Sequence, residues 1–121
     1  MLEAAAILKE LTMLIGQDQI NTNEDDLYKA SADRYKKYAV VKKALDVSAP
    51  LAIVYPKDAN EVALLLKFCN SYDINVIARA GMTATEGGLE NWKDKTIVVD
   101  TEHLSEIIKI DPYNSQATVQ A

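Results

Sequence analysis

The 121-residue sequence has one cysteine, one histidine, one tryptophan and one phenylalanine. A lone thiol, Cys69, cannot close an internal disulfide, so no disulfide framework holds the fold and a cytoplasmic location is expected. One histidine and one cysteine fall short of a metal-ligating set. No apolar run approaches the roughly 20 residues that cross a bilayer. Glu3, Lys9 and Glu10 interrupt the first sixteen residues, which lack a basic start and a clean apolar block, so no signal peptide is expected. Basic residues are outnumbered 13 to 18, for a net charge of -5, which opposes a nucleic-acid role. The lysines at 36, 37, 42 and 43 read as a solvated face. Glycine is also scarce, and three of the four glycines fall in one stretch.

What remains is ordinary for a globular chain: 49% hydrophobic and 26% charged residues. Leu2 to Ile15 has helical spacing, with Ala4, Leu8, Leu11 and Ile15 on one stripe and Gly16 as a stop. A polar turn, Gln17 to Asn23, follows. Thr22 or Asn23 can cap a short helix with Leu27, Tyr28 and Ala30 inward. Asp33 to Ser48 has a weak helical pattern. Leu51 to Tyr55 reads as a buried strand ended by Pro56. Asp58 and Glu61 form a capping-box signature, and a helix runs to about Tyr72. Its buried stripe is Val62, Leu65, Leu66, Cys69 and Tyr72, widened by Leu64 and Phe68. Asn75 to Arg79 is the next strand, implying a right-handed crossover and two parallel strands. After a loop over Ala80 to Lys95 come a strand at Thr96 to Asp100 and one helical turn at Thr101 to Ser105. Strands at Glu106 to Asp111 and Gln116 to Ala121 flank a turn at Pro112, Tyr113 and Asn114. Cys69, on the helix stripe, reads as packing, and His103 as a surface residue. Trp92 reads as cover for the loop base.

The stretch that can carry chemistry is Arg79-Ala80-Gly81-Met82-Thr83-Ala84-Thr85-Glu86-Gly87-Gly88, directly after a buried strand. Small residues and glycine allow tight turning and close approach of a ligand. Successive main-chain N–H groups in such a turn can hold an anion, a pyrophosphate among them. Thr83 and Thr85 add hydroxyl donors. On composition alone, a ligand-free surface loop competes with this reading.

The order of elements tips the balance. The run Pro50-Leu51-Ala52-Ile53-Val54-Tyr55-Pro56-Lys57-Asp58-Ala59-Asn60-Glu61-Val62 resembles the start of the FAD-linked oxidase domain, the PCMH/vanillyl-alcohol-oxidase type found in glycolate oxidase and D-lactate dehydrogenase. Arg79, Thr83, Gly87 and Gly88 match that family's glycine loop in place, with Gly81 at its small-residue position. Thr96 to Asp100, Leu104, Ile107 to Asp111 and Ala117 to Ala121 also look like the family. The resemblance implies an α+β fold: amino-terminal helices plus a βαβ unit and a small mixed sheet, the first lobe of a PCMH-type FAD-binding domain. Residues 1–49 form an amino-terminal helical segment and 50–121 the first α/β lobe, truncated, since the chain stops at Ala121 inside a strand pattern. In such enzymes FAD lies between this lobe and a second one, held at its pyrophosphate by the loop. The contacting residues would be Arg79, Ala80, Gly81, Met82, Thr83, Ala84, Thr85, Gly87 and Gly88. Some relatives attach flavin covalently through a histidine in this loop. Thr83 stands at that position, so non-covalent FAD is expected.

Ala80 and Met82 replace two family glycines. Residues that would meet the flavin ring or take a substrate proton lie outside the sequence, so no catalytic residue is assigned. The leading expectation is a lobe of an enzyme that oxidises a small 2-hydroxy acid, inactive as this chain alone. The missing lobe or a partner subunit would complete it. The alternative is a cofactor-free assembly or binding module that self-associates through the exposed lobe face, favoured by Ala80 and Met82. A small hydrolase is a poor third reading, because no motif surrounds Ser105 and His103.

Overall fold

A computed structural model of the chain describes residues 3–31, 48–85 and 87–121. The expectation of partial helix over 33–48 lies, but for Ser48, outside them.

Helix α1 spans Ala4–Ile15 and buries Ile7, Leu11 and Ile15. That row is spaced by four, and it differs from the expected stripe. Ile7 takes the deep position, Leu8 is half-buried and Ala4 is exposed. A branched side chain gains more from burial than alanine, so the helix turns its larger residues inward. Gly16 ends the helix at φ 93°, a conformation glycine adopts at little cost. The expected polar turn contains more structure than foreseen: a 3-10 turn at Gln17–Gln19 and a two-residue strand, β1, Ile20–Asn21. Two residues are too few to show a period. Helix α2 spans Glu24–Ala30, capped by Asn23, whose side chain accepts from the Asp26 N–H at 3.2 Å. Leu27 and Ala30 face inward as expected, but Tyr28 is 75% exposed. Positions 27 and 30 share a helical face that 28 leaves.

Strand β2 (Ala52–Val54) leads into helix α3 (Ala59–Ser71), then strand β3 (Asn75–Arg79). Asp58 caps α3 by accepting from the Glu61 N–H at 2.9 Å. The Glu61 carboxylate reaches back past the cap to the Lys57 N–H at 2.7 Å and also takes Gln19 Nε2 at 2.6 Å. The capping box thus closes on Lys57 and ties α3 to the segment before β1. Asp58→Ala removes one cap bond and is expected to lower stability by about 1 kcal/mol in urea titration. An unchanged midpoint would mean that water replaces the cap. Leu65 and Cys69 are the buried residues of α3, while Leu64 and Leu66 are 45% and 48% exposed. The expected wide stripe is therefore too wide. The helix rests on the sheet along one narrow row, with α1 beside it, and its flanks face outward.

Strand β4 (Thr96–Asp100) inserts between β2 and β3, giving the sheet order β1-β2-β4-β3. β4 is parallel to both neighbours, and β1 is antiparallel to β2, so the sheet is mixed. Every residue of β4 is buried, as a central parallel strand covered on two faces requires. Alternation sorts the core. Ala52, Val54, Ile97 and Val99 face α1 and α3. Ile53, Ile77 and Val98 face the other way, toward Ala30 of α2 and Leu89 of the long loop.

The last elements form a hairpin, β5 (Ile107–Asp111) and β6 (Gln116–Val119). The expected helical turn at 101–105 is instead a single turn closed by the Leu104 N–H on the Thr101 carbonyl at 2.8 Å. Asp111 accepts from Asn114 Nδ2 and from the Asn114 N–H at 3.0 and 3.1 Å, which holds its carboxyl below the ordinary range and closes the hairpin turn. Ile107, Ile108, Ile110 and Val119 are 57–66% exposed. Among the described residues no helix is long and apolar enough to cross a membrane.

Candidate functional site

The three parallel strands end together, at Val54, Arg79 and Asp100. Open parallel sheets bind ligands beyond these carboxyl ends. Register places Arg79 opposite Asp100. Arg79 Nε lies 2.5 Å from Asp100 Oδ2, with side chains 11% and 5% exposed. The other Asp100 oxygen accepts from the Glu102 N–H at 2.9 Å. The Thr101 N–H donates to the Arg79 carbonyl at 2.9 Å. Tyr55, just past β2, sets its hydroxyl 3.5 Å from Arg79 Nη2. Its ring lies 5.8 Å from that of His103, tilted by 52°. His103 itself is exposed, as expected.

From Arg79 the chain enters the long loop, which crosses the sheet face opposite α1 and α3. Its far half is pinned. Leu89 is buried against Ile53, Ile77 and Val98. Asn91 is fully buried; its Nδ2 donates to the Ser48 carbonyl at 2.7 Å and its N–H to the Ser31 carbonyl at 3.2 Å. Its Oδ1 accepts from the Lys93 N–H at 3.1 Å. Sequence reasoning gives these two residues no role. The available signal is a single apolar residue, Leu89, among polar neighbours. Trp92, expected to cover the loop base, is 56% exposed; Leu89 does that instead.

The described residues of the near half, 80–85, 87 and 88, stay outside. Ala80, Gly81, Met82, Thr83, Thr85, Gly87 and Gly88 are exposed, and Ala84 is half-buried against the loop-side core. Among the described residues, none accepts a hydrogen bond from the main-chain N–H groups of Gly81 to Thr85. Met82 has φ 52°, while Gly81 does not lie on the positive side. A change of hand between neighbours is what turns successive N–H groups toward one point. Among the described residues, an added Cβ at Gly81 would meet Thr83 Cγ2 at 3.8 Å, an ordinary contact, so the backbone here is not closely covered. Gly87 has φ 90° and needs its freedom. These residues are compatible with an anion: exposed main-chain donors with no acceptor among the described residues, and one change of hand at Met82.

Met82 occupies a left-handed position at a cost of about 1 kcal/mol. Its side chain is 50% exposed, so burial returns little. Met82→Gly is expected to stabilise the chain by about 1 kcal/mol in a urea titration. A loss of stability would mean that the methionine side chain is a packing element.

Cys69 lies far from this edge, buried in the sheet–helix core, and burial pushes its thiol up to about 11. It is a packing residue, since the thiolate is the reactive form. A cleft of about 500 Å³ lies at the opposite end of the sheet, lined by Cys69, Asn70, Asn75, Lys93 and Lys95 among others.

Residues 50–121 match the family model described as FAD binding domain. The chain is 37% identical over 119 residues to the uncharacterized FAD-linked oxidoreductase YgcU of Escherichia coli (strain K12), covering 98% of this chain and 25% of that one. It is 30% identical over 80 residues to the glycolate oxidase subunit GlcD of Bacillus subtilis (strain 168), covering 60% and 15%. Among solved structures, p-cresol methylhydroxylase with substrate bound superposes with a TM-score of 0.69 at 21% identity, covering 89% of this chain and 20% of that one. The chain spans about a quarter or less of the length of the curated relatives it matches.

Proposed function

Because the chain belongs to the FAD-binding domain family, matched over residues 50–121, we propose that its exposed glycine loop holds the pyrophosphate of FAD. The observation that carries this reading is the run of main-chain N–H groups from Gly81 to Thr85 with no acceptor among the described residues, directly after β3, an edge strand of which Ile77 alone is buried and not the buried strand expected from sequence. Their partial positive charges would hold two linked phosphoryl groups, and the hydroxyls of Thr83 and Thr85 would add donors. Ala80, Gly87 and Gly88 carry little or no side chain, while Met82 places an exposed thioether on the same loop. Thr83 offers no nitrogen for covalent attachment, so no bond to the flavin is expected at that position.

When bound, the flavin supplies the hydride acceptor, and the parent reaction is the oxidation of a small 2-hydroxy acid. The glycolate oxidase subunit among the relatives supports that substrate class. This chain contributes binding and orientation of the cofactor. Alone it is inactive, because a quarter of an enzyme supplies one wall of the cleft. A second lobe or a partner subunit would pack on this lobe, and the exposed Ile107, Ile108, Ile110 and Val119 give it apolar surface to cover.

Competition separates this reading from others. ADP carries the pyrophosphate and riboflavin does not. ADP is expected to displace FAD from the chain, and riboflavin at equal concentration to leave it in place. Displacement by riboflavin alone would move the contact to the ring and away from the loop.

A second reading, a cofactor-free assembly module, is favoured by one feature: the hairpin exposes large apolar side chains on a two-stranded ribbon, which is marginal without cover. Self-association in sedimentation, with no FAD-dependent change at any concentration, is its signature.

A further inference from the structure

Arg79 opens the loop and would by charge be the obvious phosphate ligand. Its surroundings give it a different role. We infer that Arg79 is a positioning residue, which holds the root of the ligand loop through Asp100 and makes no side-chain contact with phosphate. This deepens the FAD reading and rests on it. The guanidinium is anchored at its Nε end. Its Nε is bonded to Asp100, and Tyr55 Oη stands beside Nη2. With side chains 11% and 5% exposed, the pair is largely withdrawn from solvent. To reach a phosphate, the guanidinium would have to leave a buried carboxylate uncompensated. The main chain tells the same story. The Thr101 N–H and hydroxyl both donate to the Arg79 carbonyl, at 2.9 and 3.5 Å, so the last residue of β3 is tied to the end of β4 by backbone and side chain. The next residues, from Gly81 to Thr85, have no such ties among the described residues. Arg79 is thus the fixed point from which the free donors extend. Its register opposite Asp100 sets their direction.

Two measurements test this. In the wild-type chain, the Arg79 Nε–H resonance is followed while FAD is added. The expected result is that loop amides shift and Nε–H does not, because its bond to Asp100 persists. Movement of Nε–H in step with the loop amides would mean direct phosphate contact and overturn the inference. The second measurement uses the ligand-free chain and so does not depend on FAD. Asp100→Asn is expected to lower the 15N order parameters of Ala80 to Thr83, leaving those of Ile77 and Val98 unchanged. Unchanged loop order in a folded Asp100→Asn chain would overturn the inference even if FAD binds. Conversely, loosened loop amides with no FAD-induced shift anywhere would sink the cofactor reading and keep Arg79 as the anchor of this loop. If Asp100→Asn does not fold, the wild-type titration decides alone.

Discussion

Asp100→Ala is expected to cost about 3–5 kcal/mol, the range for removing one partner of a buried ion pair. The magnitude follows from what is left behind. Arg79 stays charged at any accessible pH and keeps its place with 11% exposure, so its guanidinium loses its anion without gaining water. Tyr55 Oη, at 3.5 Å, is a weak substitute. Domains of this kind are stable by roughly 5–15 kcal/mol, so the loss is a large fraction of the total. A urea midpoint shifted in proportion, with unchanged slope, is the expected record. The control is Lys109→Ala. Lys109 pairs with Asp111 at 3.9 Å and is 70% exposed, so its loss is expected to cost under about 1 kcal/mol. If the two substitutions cost the same, the Arg79–Asp100 pair is solvated and the account of the sheet edge is wrong.

The second large effect concerns affinity. A chimera in which this chain replaces the matching quarter of the E. coli relative is expected to bind FAD at least about 100-fold more tightly than the chain alone, some 2.7 kcal/mol. One loop supplies a few hydrogen bonds to a charged group, each worth about 1.5–3 kcal/mol. Against the loss of ligand freedom, that leaves binding on the order of 1 mM. Good sites cover most of their ligand, and an added lobe removes the adenine and the ring system from water at about 25 cal/mol per Å² of apolar area. Equal affinities for chain and chimera would mean that the loop alone makes the site or that the lobes do not join. Fluorescence titration with FAD reads both values.

Much of the fold is legible because its signals are local. The capping aspartate at 58, the apolar runs of β2 and β4, and the stop at Gly16 each act over a few residues. The order of those elements carries the family resemblance. What the sequence does not reveal depends on distance. β4 lies between β2 and β3, an arrangement set by three strands competing for partners. β1 is two residues long and exists by pairing with β2. The exposure of Leu64 and Leu66 is set by tertiary packing, which spacing alone does not show. At the candidate site, glycine, threonine and spacing are enough to find the loop. They do not find its anchors, Asn91 and Leu89. A buried asparagine looks like any polar loop residue until its partners, the Ser31 and Ser48 carbonyls, are brought to it. Sequence alone groups the guanidinium of Arg79 with the loop, and its pairing becomes visible only with the register to Asp100.

On the proposed reading, main-chain amides of Gly81 to Thr85 form the cofactor contact. A 15N-labelled sample of the chain titrated with FAD into the millimolar range tests it directly. The account predicts that the largest amide shifts lie at Gly81 to Thr85, saturate, and recur with ADP. Shifts centred instead on the cleft at Asn70, Lys93 and Lys95, or a spectrum that FAD leaves untouched, would contradict it.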